Sequence, residues 1–140
     1  MRKKIKTIGL LFLVVAVLLT ACGGFSYTMT STNDKTTVKI NNADDGDSID
    51  SDSIIVDGDK VAIVDSALEK GQIQVELIEA TVFPKEDSSE EDVIEGDVAT
   101  AVTVGPGEQQ ELEAKAGEYI LRFTAVGEAS GKVEVRFENQ

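Results

Sequence analysis

The chain has 140 residues, with 13 basic and 26 acidic side chains, no histidine and one cysteine, and its length suits one ordinary domain. The formal net charge of −13 excludes a strongly basic nucleic-acid binder. The absence of histidine excludes serine–histidine triads, cysteine–histidine dyads and histidine-ligated metal sites.

The charge is divided unevenly along the chain. The first 21 residues contain Arg2, Lys3, Lys4 and Lys6 and no acid. Beyond residue 21 the chain carries 9 bases and 26 acids, a net charge of −17. A domain this acidic repels polyanions, so we expect no nucleic-acid partner.

The N-terminus has the three parts of an export signal: the basic start Met1–Lys6, an apolar stretch from Ile8 to Leu19, and a small-residue end at Cys22. The apolar run is about a dozen residues long, whereas a spanning helix needs roughly 20. As the single cysteine, Cys22 cannot form an internal disulfide. These features predict export and argue against a spanning or core helix.

The segment Leu19-Thr20-Ala21-Cys22 resembles the lipobox of bacterial lipoprotein signal peptides. The resemblance implies a signal peptide over residues 1–21, a diacylglyceryl group on Cys22 and a lipidated tether over residues 22–26. It also implies that the membrane is a partner through this lipid, with the protein on the extracellular face of the cell membrane. Residues 27–140 are then the folded domain.

The composition of residues 22–140 favours strands over helices, because it holds 13 Val and 9 Ile against 4 Leu. Apolar and polar residues alternate in most segments, beginning with Phe25, Tyr27 and Met29 on one face. Turn residues separate the segments. The sequence predicts a single all-β sandwich, jelly-roll-like, of about eight or nine short antiparallel strands.

Several local features are predicted along this domain. The apolar parity changes near Leu77, which predicts a β-bulge, and Asp57-Gly58 predicts a hairpin. Ser66–Lys70 is the only helix candidate, a single turn. The polar stretches 41–53 and 85–97 are predicted to be loops. The segments Gly71–Leu77 and Gly131–Phe137 share the pattern Gly-x-(Ile/Val)-x-Val-x-(Leu/Phe), which we interpret as shared strand chemistry.

The C-terminal part predicts two strands, Tyr119–Phe123 and Val133–Phe137, joined by a turn through Gly127 and Gly131. Ala116-Gly117-Glu118-Tyr119-Ile120-Leu121-Arg122-Phe123, followed by Ala129-Ser130-Gly131-Lys132-Val133-Glu134-Val135, resembles the closing hairpin of small β-sandwich lipoproteins of Gram-positive bacteria. It also resembles jelly-roll modules of the pre-peptidase C-terminal type. Neither resemblance assigns a binding residue.

The densest set of oxygen ligands lies in the acidic stretch 41–59, where calcium is the candidate cofactor. The candidate ligands are Asp44, Asp45, Asp47, Asp50 and Asp52. The spacing does not fit an EF-hand, because Ala43 or Ile55 would occupy the third ligand position. A solvated acidic loop is the alternative interpretation.

No catalytic constellation stands out. With 26 acids some carboxylate pair at a suitable distance is expected by chance, and the mature chain has no Trp as a sugar platform. Alternating strand positions account for most of the aromatic residues of this part of the chain as core; these residues are Phe25, Tyr27, Phe83, Tyr119, Phe123 and Phe137. The sequence therefore predicts a non-enzymatic interaction or structural module without a cofactor, with a protein or cell-wall partner.

The contact surface is predicted in the loops 84–97 or 41–59, which would suit a basic partner. The apolar residues available there are Ile49, Val93 and Ile94. The alternatives are that these loops only keep the protein soluble, or that residues 41–59 form a low-affinity calcium module.

Overall fold

The computed structural model describes residues 15–17, 25–84 and 91–140, and over these ranges the chain forms nine β-strands and no helix. The strands are β1 (Val15–Val17), β2 (Ser26–Ser31), β3 (Lys35–Ala43), β4 (Ser48–Asp50), β5 (Ile54–Val56), β6 (Lys60–Pro84), β7 (Glu91–Val104), β8 (Gln109–Ala114) and β9 (Gly117–Asn139). Strands β6 and β9 are 25 and 23 residues long. The expectation that all strands are short is therefore wrong for these two.

The strands are antiparallel, in the order β1-β2-β3-β9-β6-β7, with β4 and β5 also paired to β9 and β8 paired to β6. Residues 60–70 of β6 pair with the second half of β9, and residues 72–79 pair with its first half. Each long strand therefore contributes to two half-sheets. The first half-sheet contains β2, β3 and β8, and the second contains β4, β5 and β7.

The inward side chains of both half-sheets form one apolar core. Its members include Val38, Ile40, Val64, Val133 and Val135 from the first half-sheet and Ile73, Val75, Leu77, Leu121 and Phe123 from the second. Each such side chain stabilises the fold by about 1.5–3 kcal/mol when fully buried. Phe25, Tyr27 and Met29 pack against this core from one face, as predicted. The predicted all-β, jelly-roll-like sandwich is confirmed.

The two long strands cross closely where they bend, and a glycine lies at each contact. Gly71 has φ +81°, and a Cβ there would lie 2.7 Å from the Ala129 Cα. Gly131 has φ +130°, and a Cβ there would lie 2.7 Å from the Ala67 carbonyl oxygen. Only glycine fits such a crossing. The similar segments Gly71–Leu77 and Gly131–Phe137 are thus the strand halves that follow the two bends.

The predicted C-terminal hairpin is wrong. Residues 117–126 and 130–139 are two halves of β9, and both pair with β6 instead of with each other. Gly127 and Gly131 have positive φ and bend the strand without reversing it. The long strand β6 bends at the same level and offers a partner to both halves, which local turn chemistry cannot reveal.

The predicted helical turn over Ser66–Lys70 is also wrong, because these residues continue β6. Ser66 and Leu68 are buried, whereas Ala67 and Glu69 are exposed, as expected for a strand with one covered face. The Ser66 N–H donates a hydrogen bond of 2.9 Å to the Glu108 carbonyl. Pairing and burial outweigh the local helix propensity.

The two polar stretches are only partly loops. Residues 41–53 include the end of β3 and all of β4, with Ala43 and Ile49 buried. In the second stretch, residues 91–97 belong to β7, and residues 85–90 lie outside the described residues. Stretch 41–53 contains strand residues despite its polar composition, because the side chains of Ala43 and Ile49 pack in the core.

Asp57-Gly58 forms a turn but not the predicted hairpin. Strand β5 pairs with the start of β9, whereas β6 begins beside β8 and the end of β9. The turn therefore carries the chain from the second half-sheet to the first.

The irregularity predicted near Leu77 is present, but it lies in the neighbouring strand β7. Leu77 pairs with Thr100, Ile78 with Val98 and Ala80 with Glu95, so β7 carries two extra residues here, whereas residues 72–79 of β6 pair with β9 without a break. Leu77 faces the core, and the neighbouring Ile78 is buried on the outer face of the second half-sheet.

Strand β1 falls within the predicted signal peptide. Val15–Val17 pair with Tyr27–Met29 at the edge of the first half-sheet. Cys22 lies outside the described residues.

Candidate functional site

The five predicted calcium ligands do not gather around one point. The Asp44 N–H donates a 2.9 Å hydrogen bond to Oδ2 of Asp47, and the Asp47 N–H donates a 3.0 Å bond to the Asp44 carbonyl. These two residues close a tight turn.

The other three aspartates have separate surroundings. Oδ1 of Asp45 accepts a 2.8 Å hydrogen bond from the Gly127 N–H, the Asp50 carboxylate is bound by Arg122, and Asp52 is exposed after β4. In the part of the chain that the structure describes, no group of three or more cysteine, aspartate or glutamate side chains is placed to hold a metal ion.

A two-stranded ribbon projects from the sandwich. The pairing of β6 with β9 stops at Glu79. Beyond this point β6 pairs only with the start of β7, from Ala80 opposite Glu95 to Pro84 opposite Glu91. We call residues 80–84 and 91–95 the arm. At ~3.3 Å per residue the arm extends about 16 Å beyond the sheet.

The arm is rich in exposed apolar side chains. Phe83 is 49% exposed, Val93 is 42% exposed and Ile94 is 56% exposed, and Val98, at the base of the arm, is 49% exposed. The register places Phe83 and Ile94 on one face of the ribbon and Val93 on the other. A ribbon of two strands has no core of its own, so these side chains remain available for contact.

An ion cluster fastens the base of the arm to the sandwich. The Arg122 guanidinium donates hydrogen bonds of 2.7 and 2.9 Å to Asp50 and of 2.9 and 3.0 Å to Glu95. The hydrogen bonds to Asp50, and then those to Glu95, raise the pKa of Arg122 above its ordinary value. Since β6 lies between β9 and β7, the cluster crosses it at the level of Ile78.

A cleft of about 490 Å³ opens beside the base of the arm, at the end of the sandwich where β8 approaches β7. It is lined by Glu79, Ala99, Thr100, Glu113, Lys115, Ala116 and Tyr119. Glu79 is on the same face of β6 as Phe83, since the two are four residues apart in a strand. The cleft and one face of the arm therefore form a continuous surface.

Two polar groups of the cleft are of chemical interest. The Tyr119 hydroxyl donates a 2.8 Å hydrogen bond to the Lys115 carbonyl. Burial, then the charges of Glu79 and Asp59, raise the pKa of Tyr119. The buried Oγ1 of Thr100 has no hydrogen-bond partner among the described protein atoms.

The arm lies at the end of the sandwich opposite to the start of the domain. Ser26 pairs with Asn41, beside the bend at Gly131, whereas Lys60 pairs with Asn139 and Ala114 at the other end. Strand β6 runs from Lys60 to the bend and returns through the second half-sheet to the arm. The site and the start of the domain are thus separated by the length of the sandwich.

Sequence reasoning placed this site only in part. Segment 84–97 is one of the two predicted contact surfaces, beside 41–59, and Val93 and Ile94 are exposed there. Ile49 is 4% exposed and therefore belongs to the core, and Phe83 is 49% exposed on the arm. Glu79, Thr100 and Glu113 carry no local motif, so their meeting in the cleft has no signal in the sequence.

The sequence matches no protein-family model and no curated protein. Among solved structures, the chain is similar to the CENP-C cupin domain of Drosophila melanogaster, with 9% sequence identity and a TM-score of 0.36. The similarity covers 89% of this chain and 75% of that domain. At this level it assigns neither a family nor a ligand.

No helix suitable for crossing a membrane occurs within residues 15–17, 25–84 and 91–140.

Proposed function

We propose that the chain is a bacterial lipoprotein anchored to the extracellular face of the cell membrane through Cys22, and that its sandwich is a non-enzymatic interaction module. The arm is the proposed contact surface for another surface protein or protein component of the wall. The observation that carries the proposal is the exposure of Phe83, Val93 and Ile94 on a ribbon that projects from the sandwich.

The position of the arm supports an outward-facing role. Cys22 precedes β2 by only three residues, so a lipid there would hold the start of the sandwich at the membrane. Residues 130–139 of β9 span about 33 Å, and the arm adds about 16 Å. With the sandwich standing away from the membrane, the arm lies well beyond the Debye length of about 8–10 Å.

The charge of the arm favours a protein partner over a lipid surface. Residues 79–84 and 91–97 contain five acids and no base. Anionic headgroups would repel this segment, whereas a basic protein surface with apolar side chains would complement it. Binding of the arm to vesicles of anionic lipid would therefore contradict the proposal.

The anchoring is tested by the variant Cys22→Ala in the full-length chain. Each buried CH₂ of an acyl chain contributes about 0.8 kcal/mol, so loss of the lipid should release the protein from the membrane fraction. A Cys22→Ala chain that stays membrane-bound at high salt would overturn this part of the proposal.

The contact surface is tested by placing a photo-crosslinking phenylalanine analogue at Phe83 in the full-length chain on the cell surface. Val126, 42% exposed at the bend of β9, is the matched control position. We expect a discrete protein adduct from position 83 that Ile94→Ser weakens, and none from position 126. Equal adducts from the two positions, or adducts to lipid alone, would remove the arm as the contact surface.

A further inference from the structure

We propose that Asp57-Gly58, in the turn between β5 and β6, is a site of spontaneous covalent modification, at which the folded protein converts its aspartyl bond into an isoaspartyl bond. The chain has a second Asp-Gly pair, Asp45-Gly46, and the fold protects that pair from the same reaction. The inference goes beyond the proposed contact function, because it concerns neither the arm nor the anchor.

The reaction needs only the two residues and water. The backbone nitrogen of the glycine attacks Cγ of the aspartate, the carboxyl group gives up its hydroxyl and the nitrogen its proton, and both leave as one molecule of water. The product is a five-membered succinimide ring. A water molecule then opens this ring at Cγ, which restores aspartate, or at the backbone carbonyl carbon, which leaves the main chain running through Cβ and Cγ as isoaspartate. Glycine favours the attack because no side chain shields its nitrogen.

The two pairs have the same local chemistry and the same glycine conformation. Gly46 has φ +92° and Gly58 has φ +93°, and neither has a described atom within 4 Å of its Cβ position. Both aspartates and both glycines are exposed to solvent. Residue type, glycine conformation and solvent access therefore predict equal reactivity, so we attribute any difference between the pairs to the hydrogen bonds around them.

Hydrogen bonds engage both reacting groups of Asp45-Gly46. The Gly46 N–H donates a 2.9 Å bond to the Ala125 carbonyl, and Oδ1 of Asp45 accepts a 2.8 Å bond from the Gly127 N–H. The Ala125 N–H also donates a 2.8 Å bond to the Asp47 carbonyl, which fastens the turn to β9. Ring closure would have to break the first two bonds, and each bond of ordinary strength slows the reaction about five-fold.

The corresponding groups of Asp57-Gly58 are free. Among the described residues, neither the Asp57 carboxylate nor the Gly58 N–H has a hydrogen-bond partner. Hydrogen bonding in this turn involves the next residue, because Oδ1 of Asp59 accepts a 3.4 Å bond from the Ala116 N–H. Ring closure at Asp57 therefore has no such bond to break and proceeds in the folded state.

The test is incubation of the full-length chain, in a neutral detergent and in water labelled with heavy oxygen, at mildly acidic pH for several weeks. Each ring opening adds one labelled oxygen atom, and electron-transfer fragmentation distinguishes isoaspartate from aspartate. Trypsin cleavage after Lys39 and Lys60 gives one peptide that contains both pairs, so each pair is the internal reference for the other. In the folded protein we expect label and isoaspartate at Asp57 to exceed those at Asp45 by at least about ten-fold, and in urea we expect the two rates to converge.

Variants check the chemistry at each pair. Asp57→Glu should abolish the reaction, because the longer side chain would have to close a six-membered ring, which forms far more slowly. Asp57→Asn and Asp45→Asn form the same succinimide with loss of ammonia, and hydrolysis then leaves a mass gain that is read on the intact protein. We expect Asp57→Asn to deamidate at least about ten-fold faster than Asp45→Asn, whose Oδ1 can still accept the bond from the Gly127 N–H. Thermal melts establish that each variant is folded.

Two results would overturn the inference. Equal or faster reaction at Asp45-Gly46 in the folded protein would show that the hydrogen bonds there give no protection. A reaction at Asp57-Gly58 that occurs only in urea would show that the fold keeps the two reacting groups apart. Neither result bears on the arm, whose role the crosslinking experiment at Phe83 tests separately.

Discussion

The crossing of the two bent strands predicts a large effect from one methyl group. In Gly131→Ala the new Cβ would lie 2.7 Å from both the Ala67 carbonyl oxygen and the Glu69 nitrogen, and closer still to the Leu68 Cα. These are backbone atoms of a paired strand, so they cannot rotate away as a flexible side chain would. The glycine also has φ +130°, which an L-residue adopts only with strain.

The magnitude follows from two contributions. The backbone conformation costs an alanine about 1–2 kcal/mol, and forcing an extra carbon into a filled space typically costs about 1–3 kcal/mol. We expect Gly131→Ala to lower the free energy of unfolding by about 3 kcal/mol. For a domain of this size that corresponds to a fall of about 10–15 °C in Tm.

The measurement is a thermal melt of the full-length chain followed by circular dichroism, with Gly107→Ala as the control. Gly107 has φ +74° but open space around its Cβ position, so its variant isolates the backbone contribution of about 1 kcal/mol. Equal losses in the two variants would refute the steric argument. Because Gly71 belongs to the same crossing, the double variant Gly71→Ala/Gly131→Ala should lose less than the sum of the single variants.

Three further predictions concern the site and its surroundings. Arg122→Met should lower the free energy of unfolding by only about 1 kcal/mol, since the ion cluster is partly exposed. The same variant should speed amide hydrogen exchange in the arm. Unchanged exchange would show that the cluster does not hold the arm. The pKa of Tyr119 is higher in the folded protein, so its contribution to stability is complete below pH ~10 and is lost as pH rises through the folded pKa. In urea melts between pH ~9 and ~11, wild type should therefore lose more stability than Tyr119→Phe. Parallel pH profiles of the two proteins would contradict this. Addition of calcium at about 1 mM should leave Tm unchanged, because Asp50 is bound by Arg122 and Asp45 by the Gly127 N–H; a raised Tm would restore the calcium hypothesis.

Strand β1 adds a consequence for the proposed lipoprotein. Val15–Val17 cover the edge of β2 in the full chain, and they belong to the segment that signal cleavage would remove. In the mature protein β2 would then be the edge strand of the first half-sheet.

The sequence predicted the strand class and much of the core, because alternation with period two needs only the local pattern. Val38 and Ile40, for example, are both buried on one face of β3, and Ile73, Val75 and Leu77 form an inward row. The parity change near Leu77 marked the right level of the sheet, but the extra residues lie in the neighbouring strand β7. The export signal and the lipobox at Cys22 also depend only on local order along the chain, and their interpretation stays a prediction.

The errors in the prediction share one physical cause, which is that pairing partners are distant in sequence. Glycines at 127 and 131 look like a turn, and only the length of β6 makes them a bend within one strand. The Ser66–Lys70 segment has residues that favour a helix, but pairing with β9 and burial of Leu68 stabilise a strand instead. Phe83 is exposed because the pairing of β6 with β9 stops at Glu79, which the local pattern does not reveal.

Composition alone established a charge of −13, from which we predict no polyanion partner. Its division along the chain established a charge of −17 in residues 22–140, behind a basic N-terminal segment. Only the tertiary structure decided where that charge acts. Arg122 binds Asp50 and Glu95, which removes Asp50 from the proposed calcium ligands. Glu79 and Glu113, which are distant in sequence, both line the cleft beside the apolar arm. The reason is that charge and alternation are properties of the chain, whereas a site depends on which strands lie side by side.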